Sequence, residues 1–165
     1  MLGQRDIKPG ETAELKISYN TYKFPGKFEK YVTVFIDQEH QERRAIINLV
    51  GYVEPVPMGV LDVDPRKVSA GEIKINEPVK LLIMAKNTGD ADLEITKVES
   101  KKSGMVFFDG ATSGNMIIRP GEIREIPFEI VGKEAGRLLD YIMIYSNARN
   151  VTEQGYKVVV IATVE

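Results

Sequence analysis

Residues 7–11, IKPGE, return almost unchanged as residues 118–122, IRPGE, 111 positions further along the chain. Two further blocks follow in the same order. They pair residues 26–32 with 136–142 at an offset of 110, and residues 47–53 with 158–164 at an offset of 111. Three blocks in one order at nearly one offset indicate tandem copies of one domain.

The two copies are not equally complete. The second copy opens near Val60, so an equivalent opening of the first copy would fall before residue 1. We therefore predict the C-terminal half of a repeat in residues 1–54, a linker in residues 55–59 and a complete domain in residues 60–165. Two prolines in this linker restrict its backbone toward an extended form, which predicts a short and fairly stiff spacer.

The composition is that of an ordinary folded protein and argues against several functions. Hydrophobic residues make up 43% and charged residues 28%, and 22 basic and 24 acidic side chains give a net charge of −2. This balance provides no basic surface for nucleic acid. No apolar run approaches the roughly 20 residues that cross a bilayer. The absence of cysteine excludes disulfides, thiol nucleophiles and cysteine metal sites, and the single histidine excludes a histidine pair within the chain.

Short apolar runs separated by turn residues predict an all-β fold. In the half copy, residues 13–19 alternate cleanly and place Leu15, Ile17 and Tyr19 on one face. Residues 24–27 predict a turn, and residues 31–36 and 45–53 two further strands. In the complete copy, predicted strands cover residues 60–63, 79–85, 93–98, 105–108, 116–118, 123–131, 138–145 and 156–164. This pattern favours an immunoglobulin-like β-sandwich, preceded by a partial copy of the same domain.

The repeated Pro-Gly-Glu triplets predict turns. Pro9 and Pro120 would preset the second position of a tight turn, and Gly10 and Gly121 would supply the positive φ that follows. The glutamate after each glycine has no partner at a fixed spacing that would make it an acid or base.

The segment around Asn87 and Gly89 also predicts a turn, in which both residues adopt positive φ and the aspartates bond nearby amides. Asp90 and Asp92 leave a calcium site open as the alternative, although the segment lacks the full ligand set of a calcium loop.

Three other polar stretches carry weaker signals. His40 lies in a predicted hairpin loop, with a metal contact through His40 and Glu39 or Glu42 as the alternative. Residues 100–104, SKKSG, resemble part of a phosphate loop but follow a strand without opening a helix, so a solvated lysine pair is favoured. Residues 108–115 are small and polar, and predict a strand connection with recognition by an exposed loop as the alternative.

These features together resemble a known family. The Asn-Thr-Gly turn between two strands, the Pro-Gly-Glu turn and the following strand with Ser146 and Asn147 are similar to bacterial domain-of-unknown-function family 1573. That family is Ig-like and related to Hydin-type (ASH) and major-sperm-protein sandwiches. The resemblance covers residues 60–165 completely and residues 7–53 as the second half of another copy. Many members carry cysteine where residues 98–104 of this chain have none, so no metal or redox role follows.

What the resemblance implies is an exported bacterial protein, in the periplasm or at the cell surface, built of tandem sandwiches. It implies no catalytic residue and no cofactor. With no catalytic constellation in the sequence, we expect a non-enzymatic binding, scaffold or protein-interaction module. Binding of a carbohydrate or metal ion at loops of the complete domain is the alternative.

A half sandwich would leave apolar side chains uncovered. By the repeat alignment, the side chains expected to face the missing half include Leu15, Ile17, Val32, Val34 and Leu49. Each is worth roughly 1.5–3 kcal/mol when buried. We therefore expect self-association, with a twofold dimer as the simplest closed arrangement, or contact with another protein surface.

Overall fold

The computed structural model describes residues 6–36 and 43–165, so the predicted loop with His40 lies outside the described residues. The chain divides into two compact units: an N-terminal unit, Met1–Val56, and a C-terminal unit, Pro57–Glu165. The division falls inside the segment that the sequence predicts as a linker. Each unit is described by itself.

The described part of the N-terminal unit contains one hairpin, formed by β1 (Gly26–Phe35) and β2 (Arg44–Val53). The two strands are antiparallel, with Gly26 opposite Val53 and Phe35 opposite Arg44. β-branched and aromatic residues make up eleven of the twenty strand positions, a composition that strands favour.

Two expectations for this unit are wrong. Residues 13–19 form no strand, and only Leu15 takes part in an isolated bridge. Among the described residues of this unit, β1 and β2 pair only with each other, so no strand forms a ladder with this segment. The turn predicted at residues 24–27 also lies earlier: the amide of Phe24 donates to the carbonyl of Thr21 over 3.0 Å, and β1 already begins at Gly26.

The C-terminal unit is almost entirely β. Its strands are β3 (Leu61–Asp64), β4 (Lys67–Ile73), β5 (Pro78–Asn87), β6 (Leu93–Ser100), β7 (Val106–Asp109), β8 (Met116–Ile118), β9 (Ile123–Val131), β10 (Gly136–Ser146) and β11 (Tyr156–Val164). One short helix, α1 (Gly110–Ser113), interrupts them. The eight strands predicted for this unit are confirmed within a few residues at their ends.

Two sheets form the sandwich. The six-stranded sheet has the order β4-β11-β10-β6-β7, and β8 pairs with the other end of β6, while the three-stranded sheet has the order β3-β5-β9. The core between them consists of aliphatic side chains such as Ile83, Ile95, Ile126, Ile142 and Val160, none more than 1% exposed. The predicted immunoglobulin-like sandwich is confirmed.

Strand β4 is the one strand of this unit that the sequence pattern missed, and the short helix α1 was not predicted either. It pairs parallel with β11, and the register shifts near Gly71, which has a φ of +70°. A glycine and an alanine in the middle weaken the β signal of this segment. The neighbouring strand, rather than local propensity, places it in the sheet.

Candidate functional site: the open hairpin of the N-terminal unit

The repeat found in the sequence is present in the strand register. Gly26 faces Val53 in the first hairpin, and Gly136 faces Val164 in the hairpin of β10 and β11. Adding 110 to each β1 residue and 111 to each β2 residue reproduces the pairs of the second hairpin. The β1–β2 hairpin is therefore the structural equivalent of β10–β11.

One side of each hairpin corresponds to the sandwich core. We call this side of β1 and β2 the inner face, which comprises Phe28, Lys30, Val32, Val34, Ile47, Leu49, Gly51 and Val53. Its counterparts Ile142, Ile144, Val158 and Val160 are 0% exposed beneath the three-stranded sheet. In the N-terminal unit Val32, Val34 and Leu49 are only half-buried. The inner face thus carries mostly apolar side chains, as a core does, but these side chains are not fully buried.

One cross-strand pair of the inner face differs from its C-terminal equivalent by two substitutions whose volume changes have opposite signs. Leu138 faces Ala162 in the C-terminal unit, and Phe28 faces Gly51 at the equivalent place. A Cβ added to Gly51 would lie 2.6 Å from the ring of Phe28. The larger side chain on one strand is thus matched by a smaller one on the other, as close packing requires.

Leu15 and Ile17 lie in the irregular segment before β1 and are half-buried. The structure does not place them in a sheet with the hairpin. Tyr19, in the same segment, packs its ring on Phe28 with the centroids 5.0 Å apart. The ammonium of Lys30 lies 5.4 Å from the centroid of the Tyr19 ring. The segment therefore contacts one end of the inner face.

The opposite side of the hairpin, its outer face, carries a second apolar stripe. Five cross-strand pairs lie on the outer face, and one residue of each pair is apolar or aromatic and strongly exposed. These residues are Tyr52 57%, Val50 70%, Tyr31 64%, Ile46 59% and Phe35 54%. Sequence reasoning did not single out this stripe, although the alternation that produces it is visible in β1 and β2. Exposed apolar patches of this kind are typical of interaction surfaces.

A polar cluster lies on the outer face beside this stripe. The Tyr31 hydroxyl donates to Glu29 Oε1 over 2.5 Å, and Asn48 Nδ2 donates to the same oxygen over 2.8 Å. These two hydrogen bonds, that of Tyr31 first, lower the pKa of Glu29, and the bond to the carboxylate raises the pKa of Tyr31. The cluster holds the Tyr31 ring in place on an otherwise solvated surface.

The two Pro-Gly-Glu segments form the same turn. Gly10 has a φ of +86° and Gly121 a φ of +80°. In each turn the glutamate carboxylate accepts the amide three residues earlier, over 3.1 Å from Lys8 and 2.9 Å from Arg119. The glutamate side chain thus closes the turn, a role that the sequence did not suggest.

We expect Gly121→Val to destabilise the C-terminal unit by about 1–3 kcal/mol, because a β-branched residue is strained at positive φ. Glu122→Gln should cost much less, since the amide oxygen still accepts the Arg119 amide, whereas Glu122→Ala should cost about 1 kcal/mol. Urea denaturation midpoints of the three variants test this order. Equal midpoints for Gly121→Val and Glu122→Gln would contradict it.

Asn87 is a buried structural residue at the end of β5. Its Oδ1 accepts the amides of Val60 and Gly89 over 3.1 and 2.9 Å, and its Nδ2 donates to the carbonyls of Ala91 and Ile118, each over 2.8 Å. The side chain is 0% exposed. All four hydrogen-bonding positions of the amide are therefore used.

Neither Asn87 nor Gly89 has the positive φ that the sequence predicted. Gly89 is required by a close approach instead, because a Cβ there would lie 2.2 Å from the carbonyl oxygen of Met58. Asp90 Oδ1 accepts the Met58 amide over 2.8 Å, a distant amide rather than a nearby one. Among residues 6–36 and 43–165, no three histidine, aspartate or glutamate side chains group closely enough for a metal ion.

The SKKSG segment proves to be anchored by a buried carboxylate. Asp140 is 5% exposed and accepts the Ser100 hydroxyl over 2.7 Å and the amides of Lys102 and Tyr141 over 3.0 and 2.7 Å. The Ser100 Oγ in turn accepts the Ser103 amide over 2.9 Å. The segment is a tightly held turn.

A groove of about 700 Å³ lies beside this turn, between it and the connection from β9 to β10. Apolar side chains of Val131, Leu138 and Val164 line it, together with cations and anions such as Arg137 and Glu134. The mixed charges of the lining select no single class of ligand.

The comparison with known families concerns the N-terminal unit. Residues 2–53 match the family model described as Protein of unknown function (DUF1573). The match confirms the family that the sequence suggested and covers the hairpin segment rather than the complete sandwich. The extension of the resemblance to residues 60–165 stays a prediction. A search of curated proteins gives no match.

Solved structures similar to this chain include three of low identity. A protein of unknown function from Porphyromonas gingivalis W83 is 15% identical with a TM-score of 0.48, and the match covers 84% of this chain and 66% of that one. The ASH/PapD-like domain 7 of human CEP192 is 11% identical with a TM-score of 0.45, covering 71% and 92% of the two chains. WR4, an MSP family member of C. elegans, is 8% identical with a TM-score of 0.36, covering 64% and 98% of the two chains.

In the described part of the chain no helix is long and apolar enough to span a membrane.

Proposed function

We propose that this protein is a non-enzymatic interaction module of tandem immunoglobulin-like repeats, acting outside the cytoplasm, in which the N-terminal hairpin is the docking element. One observation carries the proposal: the inner face of β1 and β2 is the equivalent of a buried core face, yet it is only half-buried. A two-stranded hairpin is marginally stable by itself. Covering its inner face would stabilise both the hairpin and the complex.

The occupant is a protein surface, either a second copy of this chain or another β-rich partner. The inner face is almost entirely aliphatic and aromatic, and its equivalent in the C-terminal unit is covered by a sheet of aliphatic side chains and Phe128. A twofold dimer would cover one inner face with the other in a closed arrangement. Self-association is therefore the first expectation.

Light scattering across a dilution series tests the proposal. We expect the chain to form dimers or larger species, and Val34→Asp to shift the midpoint of association to at least about tenfold higher concentration, because a carboxylate would be buried without a partner. Leu15→Asp should weaken association less, since Leu15 lies outside the hairpin. Thr33→Asp is the matched control, because Thr33 is the neighbouring residue on the outer face.

The proposal would be contradicted if the chain were monomeric at every concentration and if no protein partner stabilised it. The same conclusion follows if Val34→Asp and Thr33→Asp have equal effects.

The groove of the C-terminal unit supports a second candidate function, the binding of a small ligand such as a carbohydrate at the loops of the complete domain. A thermal-shift screen with sugars and divalent cations tests it, because a ligand that binds only the native state raises the melting temperature. An increase that is lost in Arg137→Ala would favour this candidate. No increase with any sugar or ion would set it aside.

A further inference from the structure

The C-terminal unit shows which strand belongs beside β1. Its equivalent β10 pairs antiparallel with β6, with Ile144 opposite Val98 and Ile142 opposite Ser100. The repeat offset places Val34 and Val32 at these two positions of β1. Among the residues that the structure describes, β1 pairs with β2 alone, so the edge that corresponds to the β6 side has no described neighbour.

This edge presents the same register to an incoming strand as β10 presents to β6. In β6 the side chains of Leu93, Ile95 and Val98 are buried in the core, while Thr96 is exposed and Lys97 half-buried. A strand that fits beside β1 must likewise direct apolar side chains to the inner face and polar ones to the outer face. Strand addition of this kind obtains its affinity from backbone hydrogen bonds and its specificity from side chains.

One substitution between the repeats changes what the incoming strand must carry. The equivalent of Asp140 in the hairpin is Lys30. In the C-terminal unit, Asp140 accepts hydrogen bonds from the Ser100 hydroxyl and the Lys102 amide, at the end of β6 and just after it. At the same place Lys30 presents an ammonium group, which donates hydrogen bonds and carries the opposite charge. The segment after the incoming strand must therefore offer acceptors.

We infer that the edge of β1 away from β2, at residues 32–35, accepts an antiparallel β-segment of alternating apolar and polar residues that is followed directly by acidic residues, which pair with Lys30. The inference rests on the proposed function and names the chemistry of its partner. Lys30 also lies on the inner face, so a partner without a carboxylate there would bury an unpaired cation. The ammonium already lies near the Tyr19 ring, which keeps it at this end of the inner face.

A peptide taken from the chain provides the probe. Residues 92–102 contain β6 and the two lysines after it, and the test peptide carries Lys101→Glu and Lys102→Glu. The native peptide, with both lysines, is the charge control. A third peptide adds Val98→Pro to the acidic version, because proline cannot take part in the full backbone ladder.

Fluorescence anisotropy with the labelled peptides and the full chain gives the affinities. We expect the acidic peptide to bind at least about fivefold more tightly than the native one at low salt, a preference that salt weakens, and the proline peptide to lose binding. Lys30→Glu should reverse the preference. Lys27→Glu, a charge change on the outer face of the same strand, should leave it unchanged.

Equal binding of the acidic and native peptides, binding of neither, or equal effects of Lys27→Glu and Lys30→Glu would overturn the inference. The proposed function would survive these results if Val34→Asp still weakened self-association as expected, because that experiment tests the inner face without reference to Lys30. If Val34→Asp had no effect while the acidic peptide bound as expected, the strand edge alone would be the docking site.

Discussion

Asn87→Ala should destabilise the C-terminal unit by about 3–4 kcal/mol, the largest effect that we expect from a single substitution in this protein. The change removes four hydrogen bonds from a side chain that is 0% exposed. The amide of Val60 and the carbonyl of Ile118, 27 and 31 residues away, would each lose this hydrogen bond. Each buried group left without a partner costs about 1–3 kcal/mol, and partial relaxation keeps the total below the sum.

Urea denaturation of the full chain measures this, with the amide signals of β5 and β9 in NMR spectra reporting on the C-terminal unit alone. Thr88→Ala is the matched control, because the Thr88 side chain is exposed and its contact with the Val60 carbonyl is long, at 3.5 Å. We expect the control to change stability by less than about 0.5 kcal/mol. Similar midpoints for the two variants would show that the amide network contributes little.

Asp140→Ala should cost about 2–3 kcal/mol and release the turn after β6. The carboxylate accepts three hydrogen bonds, and two of the donors are backbone amides, of Lys102 and Tyr141, that lie within or beside the turn. Asp140→Asn should cost roughly half as much, since the amide oxygen retains part of the acceptor role. Denaturation midpoints and the amide shifts of residues 101–104 measure the two consequences separately.

Ser100 provides the control for this prediction. Its hydroxyl lies between the Asp140 carboxylate and the Ser103 amide, so Ser100→Ala and Asp140→Ala should not be additive. A double-mutant cycle should give a coupling of about 0.5–3 kcal/mol. Full additivity would mean that the two side chains stabilise the turn independently, contrary to the hydrogen bonds between them.

Local patterns in the sequence were sufficient to predict the strands of both hairpins, but not their register. The offsets of 110 on one strand and 111 on the other mean that the two hairpins share one register, in which Gly26 lies opposite Val53 and Gly136 opposite Val164. The same patterns gave a strand at residues 13–19 that is absent, because alternation predicts a strand only where a neighbour is available to pair with it.

The roles of Asp140 and Asn87 could not be predicted in the same way. Asp140 accepts a hydrogen bond from Ser100, which lies 40 positions away in the sequence, and no local pattern around either residue predicts this contact. Asn87 was expected in a turn with a positive φ, whereas it is the last residue of β5, and its partners Val60 and Ile118 belong to other segments that only the folded sandwich brings close. The role that we infer for Lys30 depends on its structural equivalence to Asp140, whose burial the sequence did not reveal.

Backbone hydrogen exchange of the full chain, followed across a dilution series, tests the open inner face most directly. In the dilute chain we expect the amides of Val32 and Val34 to exchange much faster than those of their equivalents Ile142 and Ile144, because the first hairpin lacks the sheet that covers the second. Concentrating the chain should slow exchange in β1 and β2 and leave β10 unchanged. Equal protection of the two hairpins in the dilute monomer would contradict the account, since the first hairpin would then need no partner.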